Sequence, residues 1–259
     1  MNYRIIFVDI DWTILDHDIH DFDYESINEL KRIQKDGVLV YLCTARPYDS
    51  IVHTGLLKLI TPDGIICTGG GVAFVKDELL FSNTIPEDVV RQIECIANKH
   101  HLVIELSKDK ERYFSNKSNI YVKRYFSVYS EVIPEIRKYD NKDVSAILLF
   151  APEKYDEILK KEFPKEIHYM RFDTCGVDVG YYQNSKGKAI KKVLEHLHID
   201  KECSIGVGDS VDDISMFNEV GLSIAMGNGM EEAKKAATRV CKPISEHGLA
   251  LELRDIFDI

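Results

Sequence analysis

Asp9 and Asp11 stand two positions apart where the apolar run Tyr3 to Ile10 gives out. Side chains two apart on a strand point the same way. Two carboxylates would then gather at the carboxyl end of a parallel sheet, where open α/β folds hold ligands. Adjacent carboxylates repel, which raises one pKa or calls for a cation. Hard oxygen donors suit magnesium. The plainer role is a solvated acidic turn, since Asp16, Asp18, Asp21 and Asp23 follow closely.

A second acidic cluster ends another buried strand, in Ser204-Ile-Gly-Val-Gly-Asp209-Ser-Val-Asp212-Asp213. Gly206 and Gly208 permit tight packing and close approach of a ligand. Asp212 or Asp213 can equally cap the helix that follows. Clusters at two strand ends of one sheet can converge on one metal site. Thr44, after the run Val38–Cys43, could donate its hydroxyl to an anion or serve as an N-cap. Lys186, at the start of a helical segment, could be a point charge on a phosphate or a solvated surface lysine.

The elements that must position these residues are readable from periodicity. Buried strands are expected at Tyr3–Ile10, Val38–Cys43, Gly64–Cys67, Ser204–Val207 and Leu222–Ala225. Helices are expected at Asp21–Lys35, Tyr48–Leu59, Lys186–His198, Ile214–Glu219, Glu231–Ala237 and Glu246–Ile256. Two short strand-like pieces, Val72–Val75 and Leu79–Phe81, follow Gly69-Gly70-Gly71. Strand and helix alternate at both ends of the chain, which predicts an α/β unit with a parallel sheet.

The middle has a different texture. Strands at Leu102–Leu106, Val144–Phe150, Ile167–Phe172 and Val177–Gly180 accompany helices at Glu87–Lys99 and Pro152–Phe163. Residues 83–183 then form an α+β unit inserted into an α/β unit made of residues 1–82 and 184–259. A surface loop tolerates such an excursion. The competing arrangement is one continuous domain. The stretch 107–141, polar and rich in Lys and Tyr, is the least readable and could hold an exposed loop with short helices.

Composition narrows the function. The chain has 259 residues, 45% of them hydrophobic and 29% charged, with 33 Lys and Arg against 43 Asp and Glu, a formal charge of -10. So acidic a chain suits neither nucleic acid nor an anionic membrane. No segment has the apolar length to span a bilayer, and the short N-terminal apolar stretch ends in carboxylates, unlike a signal peptide. The six cysteines form no Cys-x-x-Cys pair and several lie in apolar runs. Buried thiols in a reducing cytoplasm fit this better than disulfides or a zinc site. The triplet Asn116-Lys-Ser118 matches a glycosylation pattern but carries no weight without a secretion signal.

Taken together, these motifs resemble the haloacid dehalogenase-like phosphatases, in particular the Cof-type group with a large inserted cap. Asp9-Ile10-Asp11-Trp12-Thr13 matches the first motif, Asp-x-Asp-x-Thr. Thr44-Ala45-Arg46 stands for the second, often Thr-Gly-Arg. Ser185-Lys186-Gly187 stands for the third. Gly208-Asp209-Ser-Val-Asp212-Asp213-Ile-Ser-Met216 stands for the fourth, commonly Gly-Asp-x-x-Asn-Asp-x-x-Met. Ala225-Met226-Gly227-Asn228-Gly229 also looks like this group. The likeness covers the two ends of the chain; the middle is matched by size and position only. Trp12 replaces the usual Gly, Ala45 another Gly, and Asp212 the frequent Asn.

The resemblance implies a Rossmann-like three-layer core with a parallel central sheet and an inserted α+β cap that selects substrate. It implies a Mg²⁺-dependent phosphatase in which Asp9 is the nucleophile and Asp11 the acid and base. Asp9, Asp11 (through its carbonyl) and Asp209 would hold the metal, supported by Asp213. Thr44 and Lys186 would bind the phosphoryl oxygens, with Arg46 and Asp212 near the substrate. Lys108, Lys110, Arg112, Lys117, Lys123 and Arg124 in the insert would attract an anionic metabolite or simply form a solvated face. The expected partner is a small phosphorylated metabolite, a sugar phosphate or a phosphorylated cofactor, and the expected form a cytoplasmic monomer or homodimer. A phosphomutase, or a non-catalytic binding protein on the same fold, are the alternatives.

Overall fold

The computed structural model describes residues 3–116, 119–128, 132–172 and 174–258. Lys117, among the basic residues singled out above, lies outside them, as does Ser118. The contacts divide the chain into two compact units. The first comprises Met1–Ala45, Leu56–Leu80 and Ser185–Ile259, the second Arg46–Gly55 and Phe81–Asn184. The segment 46–55, which the sequence alone places with the first unit, groups with the second.

An eight-stranded sheet organises the first unit, in the order Arg239–Val240, Leu222–Ala225, Ser204–Gly208, Ile5–Val8, Leu39–Cys43, Gly64–Cys67, Val72–Val75 and Glu78–Ser82. The pairs from Arg239–Val240 through Gly64–Cys67 are all parallel, and Val72–Val75 turns back antiparallel. Ile5, Ile6, Phe7 and Val8 are fully buried. A strand buried on both faces must be covered on both, and it therefore reads as an unbroken apolar run. Each such side chain contributes about 1.5–3 kcal/mol by leaving water. From Ile5–Val8 the chain steps outward to Leu39–Cys43 and Gly64–Cys67; after the insert it steps the other way, to Leu222–Ala225 and Arg239–Val240. The order reverses between Ile5–Val8 and Ser204–Gly208, the switch point at which open α/β sheets leave a crevice.

Helices complete the unit. Tyr24–Lys35 starts at Asp23, whose Oδ1 accepts from Ser26 N and whose Oδ2 accepts from Ser26 Oγ. It is tied to the last helix, Gly248–Ile256, by Arg254, whose Nε donates to Glu29 and whose guanidinium also reaches Glu25. The expected helix start at Asp21 gives way to a small hairpin pairing Leu15–Asp16 with Asp21–Phe22. The segment expected as one helix from Tyr48 to Leu59 is broken into Tyr48–Thr54 and Leu56–Leu59, because Gly55 takes φ 83° and caps the first piece. Left-handed backbone of this kind ends helices, and glycine adopts it at little cost.

The second unit carries its own five-stranded antiparallel sheet, in the order Ile167–Arg171, Gly176–Tyr181, Ala146–Phe150, Val103–Ser107 and Arg112–Phe114. Period-two alternation divides its faces. Ile104, Leu106, Ile147, Leu149, Val177 and Val179 pack with Val89, Val90, Ile93 and Leu159 from the helices Glu87–Lys99 and Asp156–Glu162. Val103, Phe114 and Phe150 pack on the other side with Val122, Tyr125 and Phe126 of the helix Ile120–Val128. The stretch 107–141 is an exposed loop only in part: 132–141 is largely irregular and exposed, and the helix Ile120–Val128 is one of the short helices expected, but Arg112–Phe114 is a strand of the sheet. Tyr113 and Phe114 are fully buried there, and Arg112 is buried because Asp49 accepts from its Nε at 3.0 Å and Glu105 lies 3.5 Å from its guanidinium.

Candidate active site

Parallel register assembles the site. Val8 pairs with Leu42 on one side and Val207 on the other. One residue further along the three strands come Asp9, Cys43 and Gly208, and then Ile10, Thr44 and Asp209. Asp9 N still donates to Val207 O at 2.9 Å, so the first carboxylate stands just where the ladder ends. Thr44 is buried and held by its backbone: its N donates to Ile66 O at 2.9 Å and its carbonyl accepts from Gly69 N at 3.1 Å.

Lys186 opens the helix Lys186–Leu197, whose N-cap Ser185 accepts from Lys188 N at 3.2 Å. Its side chain is only 2% exposed, which excludes the solvated surface role. The ammonium donates to Asp9 Oδ1 at 2.8 Å and Asp213 Oδ1 at 2.6 Å, and lies 3.3 Å from Asp212 Oδ2. A lysine pays a large desolvation cost for such burial and stays charged only among carboxylates.

Asp213 serves the capping of a turn and the site together. Its Oδ2 accepts from Asp209 N and Ser210 N, both at 2.9 Å, and from Ser210 Oγ at 3.2 Å. Asp213 rather than Asp212 therefore forms the capping box of this turn, with Ser210 as its partner. Gly208 makes room for it: a Cβ there would stand 2.3 Å from the Asp213 carboxylate carbon.

One carboxylate oxygen each from Asp9, Asp209 and Asp213 lie within 4.8 Å of one another. The Asp11 carboxylate is not in that group; its Oδ1 lies 2.6 Å from His17 Nε2. Arg46 belongs to the second unit, where its guanidinium donates to Ser50 Oγ at 2.8 Å. In the same unit Lys108 is paired with Asp140 at 2.7 Å, Lys110 stands over the Tyr48 ring, and Lys123 and Arg124 are exposed.

The cluster carries more negative charge than Lys186 neutralises. Burial pushes the Asp9 carboxyl well above the usual carboxylate range; Lys186 pulls it back, and Asp213, Asp209 and Asp11 push it up again. Burial likewise lifts Asp209 to about 8, Asp213 adding to the rise and Lys186 opposing it. Lys186 is held well above its ordinary value by Asp213, Asp9 and Asp212, against the pull of burial. Hard oxygen donors, crowded and under-neutralised, fit a small divalent cation. Asp9 and Asp209 fit as direct ligands. Asp213, with both oxygens already accepting hydrogen bonds, fits as the group that orients Lys186 and the Asp209 backbone.

Two departures from the motif differ in their backbone demands. Ala45 is not among the described residues of positive φ, so glycine is not required there. Trp12 does take φ 59°, a region that costs a bulky L residue about 1–2 kcal/mol. Its carbonyl accepts from Asn228 Nδ2 at 2.8 Å and its ring packs on His17, centroids 5.1 Å apart. Sequence reading passes over His17. Its only trace there is an imidazole set among Asp16 and Asp18, and nothing in the spacing shows that it folds back on Asp11.

A family model for haloacid dehalogenase-like hydrolases matches residues 6–253. The chain belongs to this family. YkrA of Bacillus subtilis, described as a candidate phosphatase, is 28% identical over 261 aligned residues that cover 99% of this chain and 98% of YkrA. The 5-amino-6-(5-phospho-D-ribitylamino)uracil phosphatase YitU of Bacillus subtilis is 24% identical over 269 residues, 98% of each chain. The solved structure of the sugar phosphatase BT4131, of HAD subclass IIB, matches with a TM-score of 0.86 at 25% identity, covering 99% of this chain and 100% of that one. Among the described residues no helix is long and apolar enough to cross a membrane.

Proposed function

We propose that this hydrolase cleaves phosphoric monoesters, with Mg²⁺, through an aspartyl-phosphate on Asp9. The observation that carries the reading is the buried Asp9 carboxylate, held by the Lys186 ammonium at 2.8 Å beside the oxygens of Asp209 and Asp213. The chain is a phosphoric monoester hydrolase. Its phosphatase relatives, similar over nearly their whole length, support that class.

In the proposed reaction an Asp9 oxygen bonds to phosphorus as the ester P–O bond breaks. Asp11 gives its proton to the departing alcohol oxygen. Water then attacks the phosphoryl-aspartate, Asp11 takes the water's proton, and phosphate leaves as the Asp9 carboxylate is restored. Lys186 and Thr44 bind the non-bridging oxygens, where negative charge concentrates in the transition state. When bound by Asp9, the Asp11 carbonyl and Asp209, Mg²⁺ would offset the repulsion between carboxylate and phosphate.

The proposed substrate is a small phosphorylated metabolite, a sugar phosphate or a phosphorylated cofactor. The names of BT4131 and YitU support that class. Residues 83–183 are proposed as the substrate-selecting cap. The cytoplasm is the proposed setting, with which six free thiols, four of them buried, accord, and a monomer or homodimer is the proposed form.

The test is release of inorganic phosphate from a panel of sugar phosphates and phosphorylated cofactors with Mg²⁺ present. Asp9→Asn should lower turnover by at least about 10³-fold while the thermal melt is retained. Chelation should remove activity and added Mg²⁺ restore it. Turnover surviving in Asp9→Asn would overturn the nucleophile assignment, and activity indifferent to chelation would overturn the metal.

A further inference from the structure

The loop after the first strand is more heavily built than its catalytic part requires. Thr13, Ile14 and Leu15 all donate their backbone N–H groups to Ile10 O, at 3.3, 2.9 and 2.9 Å. Trp12 N donates to Leu15 O at 2.8 Å, closing a tight turn beneath Asp11. The chain then enters the Leu15–Asp16 and Asp21–Phe22 hairpin, and His17 sits at its first corner. Asp16 Oδ1 accepts from Asp18 N at 2.8 Å, which fixes that corner on either side of His17.

From there His17 turns back over the loop. Its Nε2 lies 2.6 Å from Asp11 Oδ1, and its side chain is only 8% exposed. The Trp12 ring packs on the imidazole at an interplanar angle of 53°. The Trp12 main chain is anchored in turn: Asn228 donates to its carbonyl at 2.8 Å and accepts from Ile244 N at 2.8 Å. Trp12 keeps a backbone conformation that glycine would adopt with less strain. Glycine would leave the imidazole without its apolar wall.

We propose that His17 is a positioning residue for Asp11, and that Trp12 is the clamp that holds the imidazole in place. This rests on the reading of Asp11 as the acid and base. A carboxylate that must deliver a proton to one oxygen and later collect one from water needs a fixed orientation, since a misplacement of about 1 Å costs roughly 10²-fold. A short imidazole–carboxylate hydrogen bond supplies it, and a packed indole keeps the imidazole from swinging away. An ordinary surface histidine would have neither partner.

The experiment compares two esters that differ in their need for the proton. The leaving group of p-nitrophenyl phosphate departs readily as the anion; that of phenyl phosphate is more basic and gains more from protonation. kcat/KM reports the step up to release of the alcohol, so it isolates Asp11 as acid. His17→Ala should lower kcat/KM for phenyl phosphate by about 10–100-fold and for p-nitrophenyl phosphate by less than about 5-fold. His17→Gln, whose amide nitrogen stands near the Nε2 position, should recover most of the loss. A second readout needs no turnover: in ¹⁵N spectra the His17 Nε2 resonance should move on Asp11→Asn.

An equal fall for both esters, no fall for either, or failure of His17→Gln to recover the loss would overturn the positioning role. So would an Nε2 resonance indifferent to Asp11→Asn, which keeps the proposal testable if His17→Ala folds poorly. Asp9→Asn run in parallel separates the two levels. If Asp9→Asn is inactive while the His17 variants show no ester dependence, only the positioning role fails. If Asp9→Asn keeps turning over, the underlying mechanism fails.

Discussion

Asp213 shows how one side chain can serve fold and chemistry together. Its Oδ2 satisfies three donors of the turn after Ser204–Gly208 while its Oδ1 accepts from Lys186. Asp213→Ala would strand the buried Asp209 N–H, a loss of about 1–3 kcal/mol, and expose the two part-buried Ser210 donors to water at smaller cost. It would also relieve the repulsion that lifts Asp9 and Asp209. The donor loss is the larger effect, because three bonds go at once whereas the relieved charge is shared with Lys186. Urea denaturation should therefore find Asp213→Ala less stable by roughly 1–3 kcal/mol, and Asp213→Asn, which keeps an acceptor oxygen, by less. A more stable Asp213→Ala would mean that repulsion dominates the cluster.

At the scale of elements, the edge strand Ile167–Arg171 and the helix Asp156–Glu162 are joined by one polar knot. Arg171 Nε donates to Asp156 Oδ2 at 2.8 Å, its Nη2 to Asp156 Oδ1, and Tyr169 Oη donates to the same carboxylate at 2.6 Å. The Arg171 guanidinium holds the Asp156 carboxyl below its ordinary value of 3.8. A group whose folded pKa lies below its unfolded one stabilises fully above the unfolded value and loses that contribution as pH falls through the folded one. Asp156→Asn should accordingly cost on the order of 1–2 kcal/mol near neutral pH. As pH falls below the ordinary carboxylate value the gap between variant and parent should narrow, closing below the lowered folded value. Denaturation at pH 7 and pH 3 measures the difference; a gap unchanged between them would remove the ion pair as its cause.

For the whole molecule, each unit has its own sheet, and the second has its own apolar cores. Asn83 Nδ2 donates to Asn184 Oδ1 at 3.1 Å, so the chain enters and leaves the insert side by side. A short linker should bridge that gap. Excising residues 83–183 should leave a chain that still unfolds cooperatively and still cleaves simple phosphate esters, with its selectivity among metabolites lost. Because residues 46–55 group with the second unit, limited proteolysis of the excised chain should cut there first. Failure to fold at all would favour a single continuous domain.

How much was legible depended on how local the physics is. Asp9 and Asp209 could be found because an apolar run stops abruptly at each, and a strand buried on both faces leaves no other place for charge. Glu87–Lys99 and Gly64–Cys67 fall where period and composition put them. Gly55 held a readable helix break that a purely periodic reading of 48–59 crossed. Arg112–Phe114 was not readable, because the burial of Arg112 depends on Asp49, remote in sequence, and on Glu105 of the neighbouring strand to satisfy a guanidinium that would otherwise stay in water.

The sequence by itself determined which chemistry was on offer: carboxylates at two strand ends, a threonine, a lysine, and the order of elements that makes a parallel sheet. Local periodicity and abrupt polarity carry that much, since each depends on near neighbours in the chain. Only the tertiary structure decided that Lys186 is buried against Asp9 and Asp213, that Asp213 rather than Asp212 completes the capping box with Ser210, and that His17 folds back onto Asp11 against Trp12. Those are contacts between groups held at a fixed distance by strand register and packing, and no spacing along the chain encodes a distance across it.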